Sequence, residues 1–312
     1  MQKFLAWFTS LYPVWLVTTA LIAFFFPHTL LWFSGQWIVW ALSLSMLGMG
    51  FTLSPDDFRG LLKMPGSVAL GFASQYTLMP LIGWLIAAAL KLEPGFAVGL
   101  ILVASCPGGM ASNMITFLAQ ANVALSVVLT MVSTLLAFLF TPMWCSALAG
   151  EYVPVDAWGL CKSTLQAVVL PVIIGVLCNW RFPKVVAKIG NFGPAVSVVA
   201  LSLITGGIVA ASAPQIAANF GKLVLATLGL HVLGFLLGYA VAKILRYPED
   251  VARTVSIEVG MQNGGMAAML ARKHFAMQPL AAVPAVFSGV MQNILGGLLA
   301  SYWRVRSPSK PE

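Results

Sequence analysis

Apolar runs of about 20 residues follow one another along almost the whole chain, and each is long enough to cross the hydrocarbon layer as a helix. Hydrophobic residues make up 60% of the sequence and charged residues 8%, at a mean hydropathy of +0.92. A soluble domain covers its surface with roughly a quarter charged residues, so a water-facing surface cannot be built from this composition. The weak alternation of about ten residues that marks an outer-membrane barrel is missing. The expected fold is an all-α integral membrane protein.

Ten spans are read from the pattern. They run from about 4 to 26, 36 to 53, 65 to 90, 93 onward through a break at 107–109, 122 to 148, 160 to 180, 193 to 213, up to about 245, 248 onward through a break at 264–265, and 279 to 303. Ser54-Pro55-Asp56-Asp57 has the signature of a helix start, a capping Ser with Pro and acids in the first turn, and opens a short amphipathic piece ending near Lys63. A second such piece is expected from Pro214 to Lys222. The first run could pass for a signal peptide. Trp7, Tyr12, Pro13 and the lack of a small-residue cleavage pattern favour a retained span. Of the 17 Lys and Arg residues, twelve fall on the side that would hold both termini and five on the other. The positive-inside bias then places both termini of a multi-pass chain in the cytoplasm. The net charge of +8 reflects those loops rather than nucleic-acid binding. Trp32, Trp158, Trp180 and Trp303 lie near span ends, as interfacial aromatics do. The four cysteines show neither disulfide nor metal spacing.

The two breaks carry the functional signal. Ser105 to Asn113 reads SCPGGMASN, Ser256 to Ala267 reads SIEVGMQNGGMA, and their Gly108 and Gly264 lie 156 residues apart, half of 312. With five spans in each half, the halves would enter the membrane from opposite sides, as two inverted five-helix repeats. Gln75 and His231 each stand 33 residues before their glycine pair. Pro107 removes an amide hydrogen, and the glycines permit backbone angles closed to other residues. Spans four and nine would thus be discontinuous. Their half-helix ends near mid-membrane would offer N–H groups to an anion and carbonyls to a cation. A pair of glycine kinks for close packing is the plainer explanation of either break alone.

Glu258 is the one acidic residue inside an apolar span. A buried carboxylate is costly unless paired or protonated, so either a cation neutralises it or it carries a proton; a hydrogen-bonded structural Glu is the third reading. Ser112 and Asn113 follow the first break, and Ser126 and Thr130 lie four apart on one helix face. Neutral oxygens with one carboxylate suit a hard monovalent cation. Shifted by 156, these four fall on Ala268, Met269, Ala282 and Val286, while Glu258 and Gln262 fall on Leu102 and Cys106. Ligand-type residues thus occupy only one copy of each position. Gln292 and Asn293 repeat the Gln262-Asn263 pair and would face a cavity or bond between helices. His231 reads as packed and hydrogen-bonded, and His28 and His274 as loop residues. Cys106 has no base near it in sequence, and no catalytic constellation marks an enzyme.

CPGGMASN, NVALSVVLT from Asn122 to Thr130, and EVGMQNGG from Glu258 to Gly265 resemble the bile acid:sodium symporter family, most closely bacterial homologues of the apical sodium-dependent bile acid transporter. The resemblance covers nearly the whole chain. It implies a ten-helix inverted-repeat fold with crossed spans four and nine. A panel domain would take residues 1–53 and 157–213, a core domain 65–148 and 221–303, and a cytoplasmic tail 304–312. It implies two sodium ions. One would be held by Ser112, Asn113, Ser126, Thr130 and Glu258. The other would be held by Gln75, Glu258, Gln262 and the carbonyls of Val259 and Met261. Substrate would lie beside the crossover near Met110, Asn263, Gln292 and Asn293. Met110 and Gln292 stand where some relatives carry Thr and His, and the family includes carriers of smaller anions such as pantoate and keto acids. The expectation is a monomeric sodium-coupled symporter of an organic anion, working in the lipid bilayer by alternating access. The alternatives are a proton-coupled carrier or sodium/proton antiporter using Glu258, an anion receptor, and a membrane enzyme.

Overall fold

The computed structural model describes residues 2–109 and 111–306. The described residues form α-helices joined by short turns, with two backbone stretches paired at a single bridge. In chain order the helices are α1 (Gln2–Ser10), α2 (Tyr12–Phe25), α3 (Gln36–Thr52), α4 (Pro55–Lys63), α5 (Pro65–Ala89), α6 (Pro94–Ala104), α7 (Ser112–Leu118) and α8 (Val123–Trp144). They continue as α9 (Ala157–Thr164), α10 (Leu170–Arg181), α11 (Pro183–Ile189), α12 (Gly193–Ile244), α13 (Glu249–Gly260), α14 (Gly264–His274) and α15 (Val283–Arg306). Pro residues open many of them, at the first turn where a missing N–H costs nothing. Single π-helical turns extend α8 to Ala149 and join α9 to α10.

Among the described residues, five helical segments are long and apolar enough to cross a membrane: Pro65–Ala89, Val123–Ala149, Ala157–Arg181, Gly193–Ile244 and Pro279–Val305. Tyr12–Phe25 and Pro94–Ala104 are shorter apolar helices. The 52 residues of α12 would span about 80 Å if straight, far more than a bilayer. Ser212, at φ −130° and ψ 15°, leaves the helical region two residues before Pro214 and divides it. The separate amphipathic piece expected from Pro214 to Lys222 is therefore absent; those residues are the first turns of the second rod. The first apolar run is likewise interrupted, at Leu11 between α1 and α2.

The helices pack as two groups. α3 lies against α10 and the first part of α12, which also holds α2. A Cβ on Gly175 would fall 2.5 Å from the Leu47 carbonyl oxygen, so α3 and α10 meet backbone to backbone. In the second group α6 lies against α5, α15 and the turn before it, and α13 against α5, α8 and α12. The largest apolar cluster runs through both groups. Trp303, expected at a membrane interface, is instead 7% exposed. Tyr239 stacks on its ring at 5.9 Å and the Arg253 guanidinium lies 5.7 Å above it.

Candidate functional site

Both breaks exist, and they meet. α6 stops at Ala104 and α7 starts at Ser112; α13 stops at Gly260 and α14 starts at Gly264. Gly108 and Gln262 form an antiparallel bridge. The Gly109 amide donates to the Met261 carbonyl at 3.0 Å, and the Asn263 amide donates to the Pro107 carbonyl at 2.9 Å. Each interruption thus satisfies backbone groups that the other leaves open, as lipid surroundings demand.

Several of the half-helix ends expected to be open are therefore closed. Gln75 Nε2 donates to the Cys106 carbonyl at 2.9 Å, and Thr141 Oγ1 to the Ser105 carbonyl at 2.8 Å. Gln262 Nε2 donates to the Val259 carbonyl at 2.9 Å, and a His231 ring nitrogen lies 2.8 Å from that of Gly260. Asn263 Oδ1 caps α14 by accepting from the Met266 amide at 3.0 Å. The glycine pairs also act otherwise than expected. Gly35 is the one glycine at positive φ among the described residues, so the pairs serve close approach. A Cβ on Gly108 would sit 2.9 Å from Glu258 Oε2, and one on Gly109 2.7 Å from the Gln262 carbonyl oxygen.

Glu258 is 3% exposed and lies against Gly108. Ser126 Oγ donates to its Oε1, and Thr130 Oγ1 donates to its Oε2 at 2.8 Å. Ser112 Oγ is 3.3 Å from Thr130 Oγ1, and Ser126 Oγ is also 2.8 Å from Asn113 Oδ1. The five residues expected around one cation are thus in one cluster, drawn from α7, α8 and α13. Ser126 has a single proton facing two acceptor oxygens, so the cluster holds more lone pairs than hydrogens. A cation suits such a donor set. No group of three or more His, Cys, Asp or Glu suited to a metal occurs among the described residues. One carboxylate with neutral oxygens fits a monovalent ion.

Gln75 and Gln262 form a second group. Gln75 Nε2 donates to Gln262 Oε1 at 2.9 Å, while the buried Gln75 Oε1 has no partner. Val259 and Met261 are fully buried, and their carbonyls already accept the bonds given above; a carbonyl oxygen keeps a second lone pair for an ion.

Beside the crossover, a cavity of about 240 Å³ opens between the two helix groups. Asn113, Gln262, Asn263 and Gln292 line its crossover side; Thr9, Tyr12, Thr52, Ser197 and Thr205 bring hydroxyls from the other. Met49, Val198, Leu201 and Ile204 make much of the rest apolar. Gln292 clamps the Gln262 backbone, accepting from its amide at 2.6 Å and donating to its carbonyl at 2.9 Å. Asn293 Nδ2 donates to the Gly289 carbonyl at 2.6 Å, and its side chain bonds with that of Tyr12 on the cavity wall. Met110 lies outside the described residues.

His231 is buried with both ring nitrogens bonded, to Gly260 and at 2.8 Å to Ser288 Oγ, in keeping with a packed role. His274 closes α14 rather than lying in a loop, and its Nε2 is 2.8 Å from Ser163 Oγ. Sequence reasoning missed Asn122, Thr254 and the hydroxyls of the cavity's far wall. Asn122, Ser126 and Thr130, like Asp250, Thr254 and Glu258, recur every fourth residue; that period was there to be read. The far-wall hydroxyls follow no such pattern.

The Sodium Bile acid symporter family matches residues 39–219. The chain is 42% identical to the "Probable sodium/metabolite cotransporter BASS1, chloroplastic" of Arabidopsis thaliana over 304 residues, covering 97% of this chain and 76% of the relative. It is 41% identical to the "Uncharacterized sodium-dependent transporter YocS" of Bacillus subtilis, covering 96% and 92%. It is 40% identical to the "Probable sodium/metabolite cotransporter BASS2, chloroplastic" of rice, covering 98% and 73%.

Proposed function

Because the chain belongs to the Sodium Bile acid symporter family, a family of sodium-dependent transporters, we propose that it takes up an organic anion with two sodium ions by alternating access. The observation that carries this is the lone-pair-rich oxygen cluster around Glu258, set against two paired helix breaks and beside a cavity. One sodium would replace hydroxyl contacts among Ser112, Asn113, Ser126, Thr130 and Glu258. The other would sit among Gln75, Glu258, Gln262, Val259 and Met261, where Gln75 Oε1 awaits a partner. Asn263, with Gln292 holding the Gln262 backbone, would frame the carboxylate of the cargo.

The ten-span inverted repeat is part of the proposal. The antiparallel pairing of the two breaks, and the bonds of Gln75 and His231 to carbonyls just before each break, support it. α2, α3, α9, α10 and the first rod of α12 would form a panel, and the remaining spans a core. The cavity reaches Thr9, Thr52 and Gly193, at the ends of α1, α3 and α12 that the loop charges would place in the cytoplasm, which supports reading it as the inward-open state; the chain would work as a monomer in the inner membrane. Two sodium ions with one monovalent anion move one net charge, to which 100 mV adds about 2.3 kcal/mol. Uptake into proteoliposomes should be sodium-dependent, steeper than first order and accompanied by inward current; electroneutral uptake would reject the stoichiometry. Protonation of Glu258 would also relieve the crowded acceptors at Ser126. That second reading, a proton-coupled carrier or antiporter, requires uptake that persists without sodium and follows pH.

A further inference from the structure

Four of the five residues in the Glu258 cluster come from one helical hairpin. α7 carries Ser112 and Asn113, α8 carries Ser126 and Thr130, and a tight turn joins them. In that turn Gln120 adopts φ 53° and the Ala121 amide returns to the Thr116 carbonyl at 3.0 Å. Thr116 Oγ1 donates to Ser126 Oγ at 3.2 Å, bracing the two arms. The fifth ligand, Glu258, stands on α13, which is separate in sequence. What fixes its height against the hairpin lies one helical turn away.

On α8 the polar stripe is Asn122, Ser126, Thr130; on α13 it is Asp250, Thr254, Glu258. Both step by four residues, about one turn, and the stripes face each other. The Asn122 amide donates to Thr254 Oγ1 at 2.9 Å, and Asn122 Nδ2 donates to Asp250 Oδ2 at 3.3 Å. Thr254 is fully buried and donates to the Asp250 carbonyl at 2.8 Å, which orients its lone pairs toward Asn122. Asn122 in turn caps α8 through Leu125. Its own N–H, at the start of a helix, has Thr254 as acceptor.

We infer that Thr254 is a positioning residue for sodium: by holding the Asn122 amide it sets the register between the hairpin and α13. This rests on the assignment of sodium to the Glu258 cluster. A site that closes around an ion needs its oxygens held to about half an ångström, and loss of a residue that orients ligands typically weakens metal binding 10- to 100-fold. Thr254 touches neither the cavity nor the cluster itself, so its effect should fall on sodium rather than on the anion.

The test is a sodium titration of purified full-length protein, read by ²²Na⁺ binding and by thermal shift against potassium, for wild type, Thr254→Val and Thr254→Ser. The isosteric Val removes the hydroxyl and keeps the shape; Ser restores the hydroxyl. The expected result is sodium affinity weakened by about tenfold or more in Thr254→Val and near wild type in Thr254→Ser. Unchanged affinity in Thr254→Val, or equal loss in both variants, overturns the inference. Should Thr254→Val fail to fold, the exposed Asp250→Ala, which removes the neighbouring rung, must weaken sodium binding measurably; no change there overturns it as well. Wild-type protein without any sodium response would instead reject the functional reading itself.

Discussion

At the scale of single residues, the site turns on Glu258 and on two glycines that leave it room. Replacing Glu258 with Ala removes the one charge in the cluster, and sodium-coupled uptake should vanish in proteoliposomes while the protein still elutes as a folded species. Preserved sodium-driven uptake would remove the central claim. Gly109→Ala inserts a methyl 2.7 Å from the Gln262 carbonyl oxygen, a backbone atom that cannot swing aside. Overpacking of this kind costs about 1–3 kcal/mol, so a lower melting temperature and loss of uptake are expected together. The cluster around Glu258 was legible because buried oxygens are conspicuous in apolar sequence. The need for glycine was legible too, but its reason was not. A sequence shows that a side chain is missing, and only the opposing carbonyl shows whether an angle or a distance requires it.

At the scale of elements, the two interruptions were readable from their Pro and Gly residues, whereas their pairing was not. Chain positions 108 and 262 carry no local mark of being neighbours. Gln292 was expected either to face a cavity or to bond between helices, and it does both, lining the cavity and spending both ends of its amide on the Gln262 backbone; the sequence did not show that partner. Gln292→Leu would leave the buried Gln262 N–H without a partner, at about 1–3 kcal/mol, while the Gln262 carbonyl keeps the Gly264 amide at 3.0 Å. Thermal unfolding in detergent should register the loss, and Gln292→Glu, which as the neutral acid keeps an acceptor for the Gln262 amide and one O–H donor, should recover part of it. α12 teaches the converse lesson. The two spans read on either side of Pro214 are its two rods, whereas their joining without an intervening loop, through a kink at Ser212, shows only in the backbone.

At the scale of the whole molecule, the proposed inward-open state requires contacts at the far end to part during alternation. The His274–Ser163 bond joins α14 to α9 there. In a background without the four native cysteines, Ser163→Cys with His274→Cys, bridged by a short bifunctional methanethiosulfonate, should stop uptake, and reductant should restore it. Full uptake with the bridge in place would mean that α9 and α14 travel together. The bridge between Gly108 and Gln262 has a consequence for biogenesis. During translation the first notch in the chain must wait for a partner strand 154 residues away, which at ribosomal speed is roughly ten to thirty seconds. Until then an incomplete nascent chain sits in the lipid with unmatched peptide groups. The N-terminal half made alone should therefore be a substrate for membrane quality-control proteases, and co-expression of the C-terminal half as a separate polypeptide should rescue it.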